Sequence, residues 1–182
     1  MLELSLHILD IAENSVRADA TVIEIAIGED TVDDTLTIEI KDNGKGMNRD
    51  SANRALDPFF TTRRVRRVGL GLPLFEQATE AAGGHLEVET EEGRGTRVLA
   101  RFVHSHIDRQ PLGRMADTMA TLIAGNAGTD FLYRHRKDGR EFTLDTREMK
   151  KELGGIPLNN SRVLQFITRY TTEGLKEIGV DQ

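Results

Sequence analysis

Apolar and polar positions along this chain follow two alternating periods. Residues 2–17 repeat at helical spacing, with Leu4, Ile8, Ile11 and Ser15 on one stripe and Leu2, Leu6 and Leu9 widening it. Two runs of period two follow, Ile23, Ile25 and Ile27, then Leu36, Ile38 and Ile40. The acidic stretch 28–34 joins them, which predicts an antiparallel hairpin. A short helix is expected from Asn48, stopping before Pro58, because the residue ahead of a proline disfavours helical backbone. Residues 59–72 read as an ordered start followed by an arginine-rich loop. A helix over 72–82 then carries Pro73 in its first turn and ends at Gly83-Gly84. Leu86 and Val88, then Val98, Ala100 and Phe102, predict a second hairpin across Glu92-Gly93-Arg94-Gly95.

Beyond Asp108 the pattern changes. It predicts a helix over 112–124, a hairpin over 131–144 turning at Lys137-Asp138-Gly139, and a short helix over 147–153 ending at Gly154-Gly155. A last amphipathic helix over 161–178 places Val163, Ile167, Tyr170 and Ile178 on one side. We divide the chain into residues 1–107 and an accessory segment, 108–182. That segment either packs on the first part or forms a small unit of its own.

Composition narrows the class. With 38% hydrophobic and 30% charged residues, 182 residues suffice for a buried core. No apolar run approaches the roughly 20 residues of a membrane helix. The first ten residues lack the basic region of a secretory signal. The absence of cysteine excludes disulfides and thiolate metal sites, and fits a cytoplasmic setting. A net charge of −6 argues against general nucleic-acid affinity, with Arg63, Arg64, Arg66 and Arg67 as a local basic patch.

Four clusters carry candidate chemistry. Asp10 and Asn14 lie four apart and share a helix face. The amide oxygen of Asn14 could ligate Mg²⁺ beside phosphate oxygens, and the Asp10 carboxylate could hold an attacking water or hydroxyl. The plainer reading is a polar helix face. Asp42-Asn43-Gly44-Lys45-Gly46 closes a strand. Its carboxylate could accept from the exocyclic amine of adenine while the glycines admit the base, or the stretch is simply a turn. Phe59-Phe60-Thr61-Thr62-Arg63 precedes Gly69-Leu70-Gly71-Leu72. Glycines before a helix can present backbone N–H groups to phosphate, and arginines can pair with it; a solvated loop is the alternative. Gly93-Arg94-Gly95-Thr96-Arg97 could set a hydroxyl beside a base, or is a routine hairpin turn.

The order and spacing of these clusters resemble the Bergerat-fold (GHKL) ATPases, most closely the catalytic ATP-binding domain of histidine kinases. Glu13-Asn14-Ser15 resembles the N box, residues 42–47 the G1 box, 57–63 the F box, 69–72 the G2 box and Gly95-Thr96 the last glycine box. Residues 13–20 also look like the equivalent helix of mismatch-repair MutL proteins. The resemblance covers roughly residues 1–104. It implies an α+β two-layer sandwich, a mixed and largely antiparallel sheet of about five strands covered on one face by helices. It implies ATP and Mg²⁺ as cofactors, Asn14 as the metal ligand and Asp42 as the adenine reader. Gly44, Gly46, Gly69 and Gly71 would shape the pocket, with Thr62, Arg63 and Leu70 on the nucleotide and Thr96 near the base. Residues 61–68 would form a lid.

The chain departs from the family in three ways. None of its histidines, His7, His85, His104, His106 and His135, has the phosphoacceptor pattern, and the N box begins almost at Met1. A phosphoacceptor domain is therefore expected to be absent, and His7 is expected to be packed or lid-facing. Arg67 stands where the lid motif usually has its first glycine. Asp10 stands where relatives carry glutamate. We favour Asp10 over Glu13 as the catalytic group, since Glu13 points about 100° away from Asn14 on an ideal helix. The expected function is an ATP–Mg²⁺-binding regulator that phosphorylates a partner protein or hydrolyses ATP slowly to switch it. Two alternatives stand beside it: a non-catalytic ATP-gated binding module, and the detached catalytic half of a split histidine kinase. The expected partners are ATP and a protein, with no nucleic acid and no membrane, and with homodimerisation left open.

Overall fold

The structure, a computed structural model, describes residues 2–53, 55 and 71–180, without the side chains of Arg49 and Asn53. The chain runs α1 (Leu4–Arg17), β1 (Val22–Asp30), β2 (Thr35–Asp42), α2 (Arg49–Asn53), α3 (Gly71–Ala81), β3 (His85–Glu91) and β4 (Gly95–Val103). It continues with α4 (Met115–Gly125), β5 (Asp130–Lys137), β6 (Arg140–Asp145), α5 (Thr146–Glu152) and α6 (Ser161–Glu177). No helix among the described residues is long and apolar enough to cross a membrane.

All the strands join one six-stranded sheet in the order β3-β4-β2-β1-β5-β6. Four pairings are antiparallel, and only β1 and β5 run parallel. The period-two runs decide which face is covered. Ile23, Ile25 and Ile27 of β1 and Leu36, Ile38 and Ile40 of β2 point to the helices and are buried. Phe131, Tyr133 and His135 of β5 continue the same face. Glu24, Ala26 and Gly28 point to the other face, which among the described elements no helix covers. The layer is therefore helix on sheet, with six strands rather than about five. The last two come from the accessory segment, which shares the sheet and the core of the first part.

Helix α1 is anchored by that later segment. A helix leaves its first N–H groups without internal partners. Here Leu4 N donates to the Pro111 carbonyl at 3.0 Å and Ser5 N to the Leu112 carbonyl at 2.8 Å. His7 Nε2 lies 3.2 Å from Gln110 Oε1, and the imidazole stacks on Phe75 of α3 with centroids 5.1 Å apart. Burial pushes the His7 imidazole below its usual pKa. It is packed, as one of the two readings of its position expected.

Several expectations shift. Leu2 and Leu6 do not widen the buried stripe of α1; they are exposed, and His7 and Ala12 are buried in their place. Linker 110–113 and α3 cover the His7 side, so the leucine side faces outward. Tyr170 is exposed, whereas Thr171 and Leu175 are buried with Val163 and Ile167. Steps of four residues keep one face of α6 in register, and Tyr170 falls one position outside it. Its ring instead stacks on Phe166 and contacts Phe142. Helix α4 starts at Met115, because Gly113 adopts φ +81 and Leu112 is occupied with α1. The β5–β6 turn keeps its expected place, with positive φ at Asp138 and Gly139.

At the sheet end where β1 leaves, Glu29 accepts from two imidazoles, His135 Nε2 at 2.7 Å and His104 Nε2 at 3.0 Å. His135 Nδ1 in turn sits 2.8 Å from the Tyr133 hydroxyl. Burial alone would raise the Glu29 carboxyl, but the hydrogen bonds from His135 and then His104 outweigh it and hold the pKa at about 2 rather than 4.5. A depressed carboxyl adds stability that is complete above about pH 4.5 and disappears as pH falls through about 2. Glu29→Gln is expected to cost on the order of 2 kcal/mol at pH 7. The gap to the native protein should shrink between pH 4.5 and 2 in denaturant unfolding; a gap independent of pH would contradict this origin of the stability.

Candidate functional site

A cleft of about 740 Å³ opens between the C-terminal half of α1, the end of β2 and the start of α3. Its floor is apolar, made by Ile11, Ile40, Met47 and Val98. Two carboxylates line it, the exposed Glu92 and the buried Asp42. Asp42 ends β2 and is only 7% exposed. Its Oδ2 accepts from Ser15 Oγ at 2.6 Å. Its Oδ1 accepts from Gly44 N at 2.9 Å and Thr96 N at 3.2 Å. Three donors from three segments thus converge on one buried acceptor, and a buried charge needs such company.

The loop after β2 is shaped by close backbone contacts. Gly46 adopts φ +63, and a Cβ there would run into the carbonyl oxygen of Glu91. Gly95 adopts φ +96, and a Cβ there would strike the Asp42 carbonyl. Lys45 is held at both ends, its N–H donating to the Ala18 carbonyl and its own carbonyl accepting from Gly93 N at 2.7 Å. Thr90 Oγ1 accepts from Met47 N at 2.9 Å and lies 3.0 Å from Thr96 Oγ1. The hydroxyl of Thr96 is thus engaged with Thr90, while its backbone serves Asp42.

Asn14 and Gly71 line the same cleft. Asn14 Oδ1 accepts from Arg17 Nη1 at 2.8 Å, and Arg17 also pairs with Glu13 at 3.3 Å. Glu13 reaches Asn126 beyond α4 and so faces away from the cleft. Asp10 sits one turn before Asn14, with its carboxylate against Gly71, so that a Cβ on Gly71 would collide with it. It is not among the residues that line the cleft. The arrangement therefore brings together Asn14, Asp42, Gly44, Gly46, Gly71 and Thr96, with Asp10 at the start of α3. The expectations for Thr62, Arg63, Gly69 and Leu70, and for a lid over 61–68, lie outside the described residues.

Sequence reading missed Ser15, Arg17, Lys45 and Thr90. Ser15 appeared in a helical stripe and in the N-box match, and Lys45 within the G1-box match, neither with a role of its own. Nothing local in the sequence marks its partner as Asp42, 27 positions away.

A mixed sheet covered on one face by helices, with this cleft between α1, β2 and α3, makes a two-layer α+β sandwich. Residues 2–106 match the family described as histidine kinase-, DNA gyrase B-, and HSP90-like ATPase, and the chain belongs to that family. Among curated proteins it is 40% identical over 72 residues to nitrogen regulation protein NtrY of Azorhizobium caulinodans, covering 39% of this chain and 9% of that one. It is 43% identical over 63 residues to sporulation kinase E of Bacillus subtilis, covering 35% and 8%. The chain thus spans less than a tenth of either relative. Solved structures share the fold. The Aquifex aeolicus MutL ATPase domain complexed with ADP superposes with a TM-score of 0.52 at 14% identity, over 93% of this chain and 88% of that one. The N-terminal domain of a DNA repair protein gives 0.56 at 17% identity, over 96% and 57%.

Gly46 and Gly93 test the loop packing. Both have positive φ, but only the Gly46 position is crowded by backbone. Gly93→Ala should cost about 1 kcal/mol of backbone strain. Gly46→Ala should cost on the order of 1–2 kcal/mol more, because the Glu91 carbonyl must move. Thermal unfolding of the two variants compares them; equal losses would mean the loop yields freely.

Proposed function

We propose that the chain binds ATP with Mg²⁺ in this cleft and uses it to switch a partner protein, by phosphorylating it or by slow hydrolysis. The observation that carries the reading is the buried Asp42 carboxylate, which lines an apolar-floored cleft and is held in place by three donors from three segments. An adenine amine is a donor, and a purine with a carbonyl at that position is not. Ile40, Met47 and Val98 would take the ring faces. Asn14 offers an amide oxygen at the cleft wall, a fitting donor for a hard cation whose remaining ligands are phosphate oxygens and water. Mg²⁺, when bound, would supply charge neutralisation for the phosphates. Arg17 must release the Asn14 oxygen first, and its guanidinium remains paired with Glu13 beside the cleft.

In this reading Asp10 accepts the proton of the attacking hydroxyl or water. Residues 1–107 form the nucleotide-binding part. The segment that begins at residue 108 braces α1 through the Pro111 and Leu112 carbonyls, and with it the helix that carries Asp10 and Asn14. A cytoplasmic setting and a protein partner belong to the same proposal. One observation favours the second reading, a non-catalytic ATP-gated binding module: the Asp10 carboxylate rests on Gly71 at the start of α3 and does not line the cleft.

Two substitutions separate the roles. Asp42→Asn turns an acceptor into an amide and should weaken ATP binding by about tenfold, or about 1.4 kcal/mol, in calorimetry. Undiminished affinity in a folded variant would refute the adenine assignment. Asp10→Asn should retain ATP affinity but lose transfer or hydrolysis. Incubation with γ-labelled ATP, with and without cell extract, reads both outcomes. A wild type that binds ATP and releases or transfers no label favours the non-catalytic module; an active wild type with a fully active Asp10→Asn variant removes Asp10 from the mechanism.

A further inference from the structure

The uncovered face of the sheet holds a second cleft, of about 490 Å³, on the side opposite the helices. Lys41, Arg97, Arg101, Arg134 and Arg136 line it, against the carboxylates Glu24, Glu39 and Glu141. Five cations and three anions leave the lining at +2, in a chain whose net charge is −6. The carboxylates are already paired: Glu39 with Arg97, Glu24 with Arg134 at 3.1 Å, and Glu141 with Arg136 at 3.6 Å. Lys41 and Arg101 are exposed, and their side chains make no hydrogen bond or ion pair with any described residue. The floor between the walls is mostly small. It consists of Ala26, Gly28 and Thr37 with Leu99 between Arg97 and Arg101, and the Thr37 hydroxyl fills the space a side chain on Gly28 would need.

We propose that this face docks an extended acidic segment of the partner protein, a step that rests on reading the chain as a regulator of another protein. Register sets the spacing. Lys41 lies opposite Arg97, and Arg101 is four residues further along β4. At about 3.4 Å per residue the two charges are separated by on the order of 14 Å along the strands. An extended segment lying along the strands repeats at the same rise, and its residues i and i+4 face the same way. Two carboxylates at that spacing meet Lys41 and Arg101 together. The small floor lets the backbone of the segment approach. A nucleic-acid strand fits less well, since its unbroken phosphate charge would also meet Glu24, Glu39 and Glu141 in the cleft and the exposed Glu87 and Glu89 of β3 beside it.

The test is amide NMR on the full chain, which reports weak binding and its location. The probe is a glycine–serine peptide with two glutamates four residues apart. Its comparators are the same peptide with lysines and a short single-stranded oligonucleotide. The glutamate peptide is expected to shift the amides of Gly28, Thr37, Lys41 and Arg101, and to bind more weakly as salt rises. Lys41→Glu and Arg101→Glu should each weaken it roughly fivefold or more, with ATP binding unchanged in calorimetry. An absence of shifts on this face, equal shifts with the lysine peptide, or tighter binding of the oligonucleotide there would overturn the proposal. Failure of the native protein to bind ATP would instead sink the nucleotide reading, and the peptide titration does not depend on it.

Discussion

The Asp42 carboxylate is the point on which the architecture around the main cleft depends. Taking a charge out of water is costly unless hydrogen bonds replace its hydration. Here the replacements come from α1 through Ser15, from the following turn through Gly44, and from β4 through Thr96. Each donor fixes a different segment relative to the end of β2. The helix that carries Asn14, the loop that carries Gly46 and the strand that carries Thr96 therefore meet at one set of oxygens. An apolar residue at Asp42 would leave two N–H groups in want of partners and the Ser15 hydroxyl with only the Ile11 carbonyl at 3.3 Å.

The other end of the sheet uses the same device for a different purpose. Glu29 on β1 is bridged to His104 after β4 and to His135 on β5, with Tyr133 behind it. These contacts fasten the C-terminal hairpin to the earlier strands. With the parallel β1–β5 pairing and the linker carbonyls on the first turn of α1, they make residues 108–180 part of one packed body with the Asp42 cleft. Motion or ligation of the later segment would be felt at α1, because the Pro111 and Leu112 carbonyls terminate that helix. The uncovered sheet face lies outside both arrangements. Its side chains pair with one another across strands, leaving Lys41 and Arg101 over.

Much of this was written locally in the sequence. Strict alternation at Ile23, Ile25 and Ile27 and at Leu36, Ile38 and Ile40 determines which face of each strand is buried, because side chains on a strand alternate by geometry. Four-residue spacing puts Asp10 and Asn14 on one helical face for the same kind of reason. Asp-Gly at 138–139 specifies its turn, since both residues tolerate positive φ. The ordered boxes from Asn14 to Thr96 identify the family, whose model matches residues 2–106.

Long-range partnership could not be read this way. The bond from Ser15 to Asp42 joins residues 27 apart, and Glu29 to His135 joins residues 106 apart. No local period encodes such pairs. The exposure of Leu6 and the burial of His7 were likewise decided by what packs against α1, namely Phe75 and the linker at Gln110. Hydropathy alone ranks leucine above histidine for the core, but a helix buries whichever side its neighbours cover. Where the accessory segment goes was also a tertiary matter. Strand β5 reads as an ordinary alternating strand, and its parallel place beside β1 follows only once α4 has crossed α1 and carried the chain back along the sheet.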